Sequence, residues 1–115
     1  MQTPPRIAWH GLTPSDQLRE LVDDRIAELA RTFPRLVSVA VTVELPHQRH
    51  VHGNHVEVKI HATLPGHEVV IDREPGDDAR HTDPGPAIRD AFDAVTRRLR
   101  ATADKYPRGD RPPRI

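Results

Sequence analysis

The sequence predicts an α+β fold, a two-layer sandwich of order β-α-β-β-β-α with two helices on one face of a four-stranded sheet. Three observations carry it. Two long segments alternate apolar and polar residues with period two, the mark of strands that bury one face and wet the other. Two other segments carry apolar residues at three- and four-residue steps, the mark of helices with one apolar stripe. The apolar stripes of two helices suffice to cover one apolar sheet face, which closes a two-layer core.

The elements follow in order. Ile7 to Leu12 (IAWHGL) is short and partly alternating, and reads as a first strand. A helix start comes next. Thr13 is placed to cap it, Pro14 suits the first helical position, and Asp16 stands three residues after Thr13 in capping-box style. Leu18, Leu21, Val22, Ile26, Leu29 and Phe33 form the stripe, and Pro34 ends the helix.

From Leu36 to Leu45, Val37, Val39, Val41, Val43 and Leu45 point one way, against Ser38, Ala40, Thr42 and Glu44. From His55 to Leu64, Val56, Val58, Ile60, Ala62 and Leu64 oppose His55, Glu57, Lys59, His61 and Thr63. Pro46 to Asn54 forms a polar hairpin loop between these strands. Pro65-Gly66 turns the chain into a last strand, His67 to Arg73, whose alternation is too weak to assign its faces. Glu74 to Pro86 is rich in proline, glycine and aspartate and reads as a loop. A second helix starts near Pro84–Pro86 with Asp83 as its cap, carries Ile88, Ala91, Phe92, Val95, Leu99 and Ala103 on its stripe, and frays near Tyr106-Pro107. The first two strands flank a helix and should be parallel, and the remaining pairs antiparallel. Residues 1–106 make one domain, and residues 107–115, ending in RGDRPPRI, a disordered tail.

Composition narrows the function. With no cysteine, disulfides and thiolate metal sites are excluded, which fits a reducing, cytoplasmic setting. Met1 to Pro5 has neither the charged start nor the apolar run of a signal peptide, and no stretch approaches the roughly 18 apolar residues of a membrane span. The 17 basic and 17 acidic residues cancel, but not evenly along the chain. Residues 97–115 hold seven basic groups against two acids, so that segment is +5 and the rest of the chain −5. The polarity has two readings, a solvated helix terminus or an anion-binding end.

Four of the eight histidines crowd one loop: His47, His50, His52 and His55. Imidazole suits a metal site or a pH switch, but all the ligands come from one hairpin and no acid stands near before Glu57. No metal or other cofactor is expected, and RNA contact or plain solvation of the loop stays open. His61, Glu57 and Lys59 alternate with His55 on the wet sheet face and could be drawn as an acid–base pair. They adjoin no nucleophile motif or Gly-rich loop, so cross-strand polar pairing is expected and catalysis is not.

The second helix carries the sharper signal. Arg89, Asp93, Arg97 and Arg100 fall on one flank, with Arg98 and Lys105 beside it. Arginine makes bidentate contacts to phosphate, so such an edge can dock on an RNA backbone. Arg19, Arg25, Arg31 and Arg35, on or just after the first helix, extend the same surface if the helices lie side by side. Asp23, Asp24 and Glu28 interrupt that row, and pairing within the helix is the plainer alternative. With one Trp, one Tyr and two Phe, a base-stacking platform is not expected.

The segments LRELVDDRIAELARTFPRLVSVAVTVE, HVEVKIHATLPGHEVVIDREP and AIRDAFDAVTRRLR resemble the hibernation-promoting factor and ribosome-associated inhibitor A family, over about Arg6 to Lys105. The subgroup with a His-rich hairpin and a REP sequence is the most similar, matching His47 to His55 and Arg73-Glu74-Pro75. The resemblance implies a fold similar to double-stranded-RNA-binding domains. It also implies a translation inhibitor that docks on ribosomal RNA of the small ribosomal subunit, where mRNA and tRNA would lie, during stress. The implied RNA-binding residues are Arg19, Arg25, Arg31 and Arg35, with Arg97, Arg98, Arg100 and Lys105.

Some positions depart from the family pattern. Glu28, Ala94, Ala101 and Ala103 stand where basic residues are common, and Gly85 stands between two prolines where an aromatic is usual. Fewer basic groups imply weaker binding. The chain also ends without the C-terminal domain of long members, so inhibition would be by the chain alone or with a separate ribosome-dimerising factor. No membrane and no small-molecule substrate is implied. The alternative from another class is the same fold used as a protein-interaction or metal-responsive module through its His loop.

Overall fold

The computed structural model describes residues 1, 3–45, 56–73 and 83–105, with the backbone alone at 73 and 103–105. The elements are β1 (Arg6–His10), α1 (Asp16–Thr32), β2 (Ser38–Glu44), β3 (Glu57–Leu64), β4 (His67–Arg73) and α2 (Pro84–Lys105). The sheet runs β1-β2-β3-β4, with β1 parallel to β2 and the other two pairs antiparallel. The expected α+β architecture holds.

Register explains the single core. Val41 pairs with Ile7 on one side and Ile60 on the other, and Ile60 pairs with Ile71, so one apolar row crosses all four strands. Val43 and Val58 lie beside Trp9 in the next row. Val39, Val41, Val43, Val58, Ile60 and Ala62 are fully buried. Val22, Ile26 and Leu29 of α1 and Ile88, Ala91, Phe92, Val95 and Leu99 of α2 close the same cluster from the helix side. Fully burying one such side chain contributes roughly 1.5–3 kcal/mol, which is why the stripe residues set which helix faces turn inward.

Several expected details change. β1 stops at His10, because Gly11 takes a positive φ of 80° and turns the chain away. Leu45 N–H donates to His10 O at 2.8 Å, holding that turn against the end of β2. β2 is shorter than the alternating run at both ends, since Leu36 is engaged in the turn after α1, where its N–H donates to Phe33 O at 2.9 Å. The α1 cap is Ser15, not Thr13: Ser15 Oγ accepts from Leu18 N–H at 3.1 Å. Leu12 packs against the core, and Thr13 and Pro14 become the connection that carries the chain from that anchor to the helix. Asp83 does cap α2, accepting from Gly85 N–H at 3.1 Å, with Pro84 in first position.

The faces of β4, which alternation left open, are settled by the hairpin. Gly66 has φ 77°, as the third residue of a tight Pro-Gly turn requires, and the turn pairs Leu64 with His67. Val69 and Ile71 therefore face the core, and Val70 is 47% exposed on the outer face. The His-rich loop and the C-terminal tail lie outside the described residues.

Candidate nucleic-acid interface

α2 turns 100° per residue, so the arginines that look contiguous in sequence diverge in space. Arg98 and Arg100 stand about 160° apart around the helix axis. Arg100 lines a groove between the two helices, with Arg25, Glu28 and Thr32 of α1 and Asp93 and Thr96 of α2. Arg97 and Arg98 line a second cleft, between α2 and the sheet edge, with Val70, Ile71 and Asp72 of β4 and Ala94 of α2. Of the flank expected to carry Arg89, Asp93, Arg97 and Arg100, Asp93 and Arg100 line the first opening and Arg97 the second. Arg97, Arg98 and Arg100 are all exposed, and Lys105 extends α2 by one further turn.

On α1 the arginines also divide. Arg19 and Arg25 lie about 120° apart around the helix. Arg25 faces the interhelical groove and is half-buried, with its Nη1 3.3 Å from Glu28 Oε1. This i,i+3 ion pair is the intrahelical pairing named above as the plainer alternative, and Glu28 stands where a cation would have added to the groove. Arg19 and Arg31 are exposed, and Arg35 is exposed beyond the helix end.

The electrostatics differ between the two openings. The interhelical groove, about 180 Å³, has Arg25 and Arg100 against Glu28 and Asp93, a balanced set. Among the described residues, the α2–β4 cleft, about 460 Å³, has two arginines against one acid, Asp72. Asp72 Oδ2 is itself 3.8 Å from Lys59 Nζ on the neighbouring strand, so the described residues of the cleft and its rim sum to a net positive charge. α1 as a whole has five acids against three arginines, whereas α2 has five basic residues against three acids. α2 is the more basic of the two helices.

Two cross-strand side-chain contacts form on the outer sheet face. Lys59 lies directly opposite Asp72, and His61 Nε2 is 3.4 Å from Glu68 Oε1, an ion-pair distance without hydrogen-bond geometry. Among the described residues no cluster of three or more His, Asp or Glu side chains could hold a metal, and no helix is long and apolar enough to cross a membrane. His47, His50, His52 and His55 lie outside the described residues. Sequence reasoning missed the α2–β4 cleft and the contribution of Lys59. The signal was present, since Lys59 and Asp72 are equally far from the Pro65-Gly66 turn and must face each other.

A four-stranded sheet covered on one face by two helices, the second of them basic, defines the class: a two-layer α+β domain. The sequence profile described as "Sigma 54 modulation protein / S30EA ribosomal protein" matches residues 6–106, and the chain belongs to that family, the ribosome hibernation family its segments resemble. Among solved structures, the chain is similar to the Protein Y N-terminal domain of Thermus thermophilus (TM-score 0.65, 22% identity, covering 89% of this chain and 99% of that one). It is also similar to a ribosomal subunit interface protein of Coxiella burnetii (TM-score 0.55, 17% identity, covering 89% and 94%). No curated protein sequence matches the chain.

Proposed function

We propose that this protein is a ribosome-associated translation inhibitor that binds ribosomal RNA of the small subunit in the channel for mRNA and tRNA. The observation that carries the reading is the family match over residues 6–106, together with the net positive helical edge on α2. Arg97 and Arg98 at the α2–β4 cleft, with Arg100 and Lys105, supply the main phosphate contacts. Arg19, Arg25, Arg31 and Arg35 supply weaker ones, because the acids of α1 surround them. The protein acts in the cytoplasm by occupying its site, with no reaction and no cofactor. A separate dimerising factor is the further partner this reading allows.

The test is sedimentation of a stationary-phase lysate through a sucrose gradient, with the protein followed by immunoblot. Co-migration with small subunits or whole ribosomes supports the proposal. Confinement to the top fractions at low salt overturns it. A reconstituted translation assay then reads inhibition, which should be relieved as salt rises.

A further inference from the structure

We propose that the outer edge of β4 and the cleft beside it form a docking strip for an extended acidic peptide, which adds to the sheet as a further strand. The inference goes beyond ribosome binding and does not depend on it.

The backbone argument starts one strand away. Thr63 C=O accepts from Val37 N–H at 2.7 Å, so the backbone of β3 at Thr63 points toward β2. By alternation, Ala62 and Leu64 point theirs toward β4, where they pair with Val69 and His67. His67, Val69 and Ile71 therefore bond inward to β3. Glu68, Val70 and Asp72 aim their N–H and C=O groups outward. β4 is the last strand of the sheet, and among the described residues no other strand covers that edge. Val70, at its middle, is 47% exposed. A sheet edge that presents a row of outward N–H and C=O groups can accept an added strand.

Charge complementarity identifies the occupant. A strand laid along β4 alternates its side chains, and one set falls on the helix side, into the cleft lined by Ala94, Arg97 and Arg98. Acidic side chains suit that set. Asp72, the one acid among the described residues that line the cleft, is already engaged by Lys59 at 3.8 Å. The other set lies on the outer face, where an apolar residue beside Val70 gains contact. A second copy of this chain fits badly. Antiparallel pairing centred on Val70 would set Glu68 of each copy against Asp72 of the other and bring four arginines together.

The experiment uses the full chain, isotopically labelled for amide NMR, and an end-blocked eight-residue peptide alternating glutamate and valine as probe. Saturable shifts at the amides of Glu68, Val70 and Asp72 are expected, with slower hydrogen exchange there. Replacing the probe's glutamates with lysine, or making the Arg97→Ala/Arg98→Ala pair, should weaken binding roughly tenfold or more. Val70→Pro removes an outward N–H without touching the β3–β4 ladder, and should also weaken it by about tenfold. An N-methylated probe lacking its strand-facing donors tests the same bonds on the unaltered protein. Shifts confined to Arg97 and Arg98 and unchanged by N-methylation would mean plain ion pairing and overturn the proposal. So would concentration-dependent self-association abolished by Val70→Pro, which would give the strip to a second copy.

Discussion

Lys59 and Asp72 face each other across β3 and β4 with Nζ 3.8 Å from Oδ2, and Asp72 also lines the cleft that holds Arg97 and Arg98. The outer sheet face and the basic helix are therefore electrostatically connected. Among the described residues, Lys59 neutralises the one acid that lines the cleft beside the two arginines. Lys59→Ala should weaken small-subunit binding and Asp72→Asn should strengthen it, each by about 0.5 kcal/mol at low salt, with the difference shrinking as screening rises. Both side chains are well exposed, so stability should change by less than about 1 kcal/mol. Filter binding across a salt series reads the effect. Two variants shifting in the same direction would count against the connection.

The two openings also predict unequal roles for the arginines. Replacing Arg97 and Arg98 together with alanine should lower the log–log salt slope of ribosome binding by about two units, at about 0.9 per phosphate contact on a duplex. Replacing Arg25 and Arg100 should lower it less, because Glu28 and Asp93 already oppose those charges in the groove. The Arg97→Ala/Arg100→Ala pair should fall between the two. Equal slopes for wild type and all three double mutants would mean that the basic end of the chain is a solvated helix terminus.

Gly11 is required where it stands. It holds φ 80°, and a Cβ there would collide with the carbonyl oxygen of Leu45. Gly11→Ala should destabilise the fold by about 2 kcal/mol or more, from the left-handed backbone and from displacement of Leu45, whose N–H bonds His10. Gly85→Ala is the contrast. Its Cβ would meet only Arg89 Nη1 and Asp83 Oδ1, both at 3.7 Å, and the residue lies in the first turn of α2. That substitution should be neutral or stabilising by up to about 1 kcal/mol. Urea unfolding of the two variants reads the difference directly.

The sheet was legible because Val39, Val41 and Val43 and then Val58 and Ile60 repeat with period two, a pattern that only a half-buried strand satisfies. β4 was less so, since Val69-Val70-Ile71 is apolar on both faces. Only the register imposed by Pro65-Gly66 shows that Val70 points out. The arginines of α2 were legible as a charge run but not as a site. Which of them meet depends on where α1 and β4 lie around the helix, and spacing along one element does not contain that. The division of Arg98 from Arg100 follows from helix geometry alone, whereas the acid that opposes each comes from another element.

The start of α1 shows the same limit at a single bond, and it can be tested there. Thr13 and Ser15 are both good caps by type, and each precedes a residue able to open a helix. Local chemistry cannot choose between them. Leu12 packs against the core, so Thr13 and Pro14 bridge from that anchor and the helix opens at Asp16. Ser15 Oγ then satisfies Leu18 N–H at 3.1 Å, while Asp16 places a negative charge in the first turn. Ser15→Ala should cost about 1 kcal/mol, the usual loss when a helix N–H is left to water alone. Thr13→Ala should cost less than about 0.5 kcal/mol, as an exposed substitution away from any cap. Thermal or urea melts of the two variants decide between the starts. A larger loss at Thr13 than at Ser15 would move the helix start back to Pro14 and undo the anchoring argument built on Leu12.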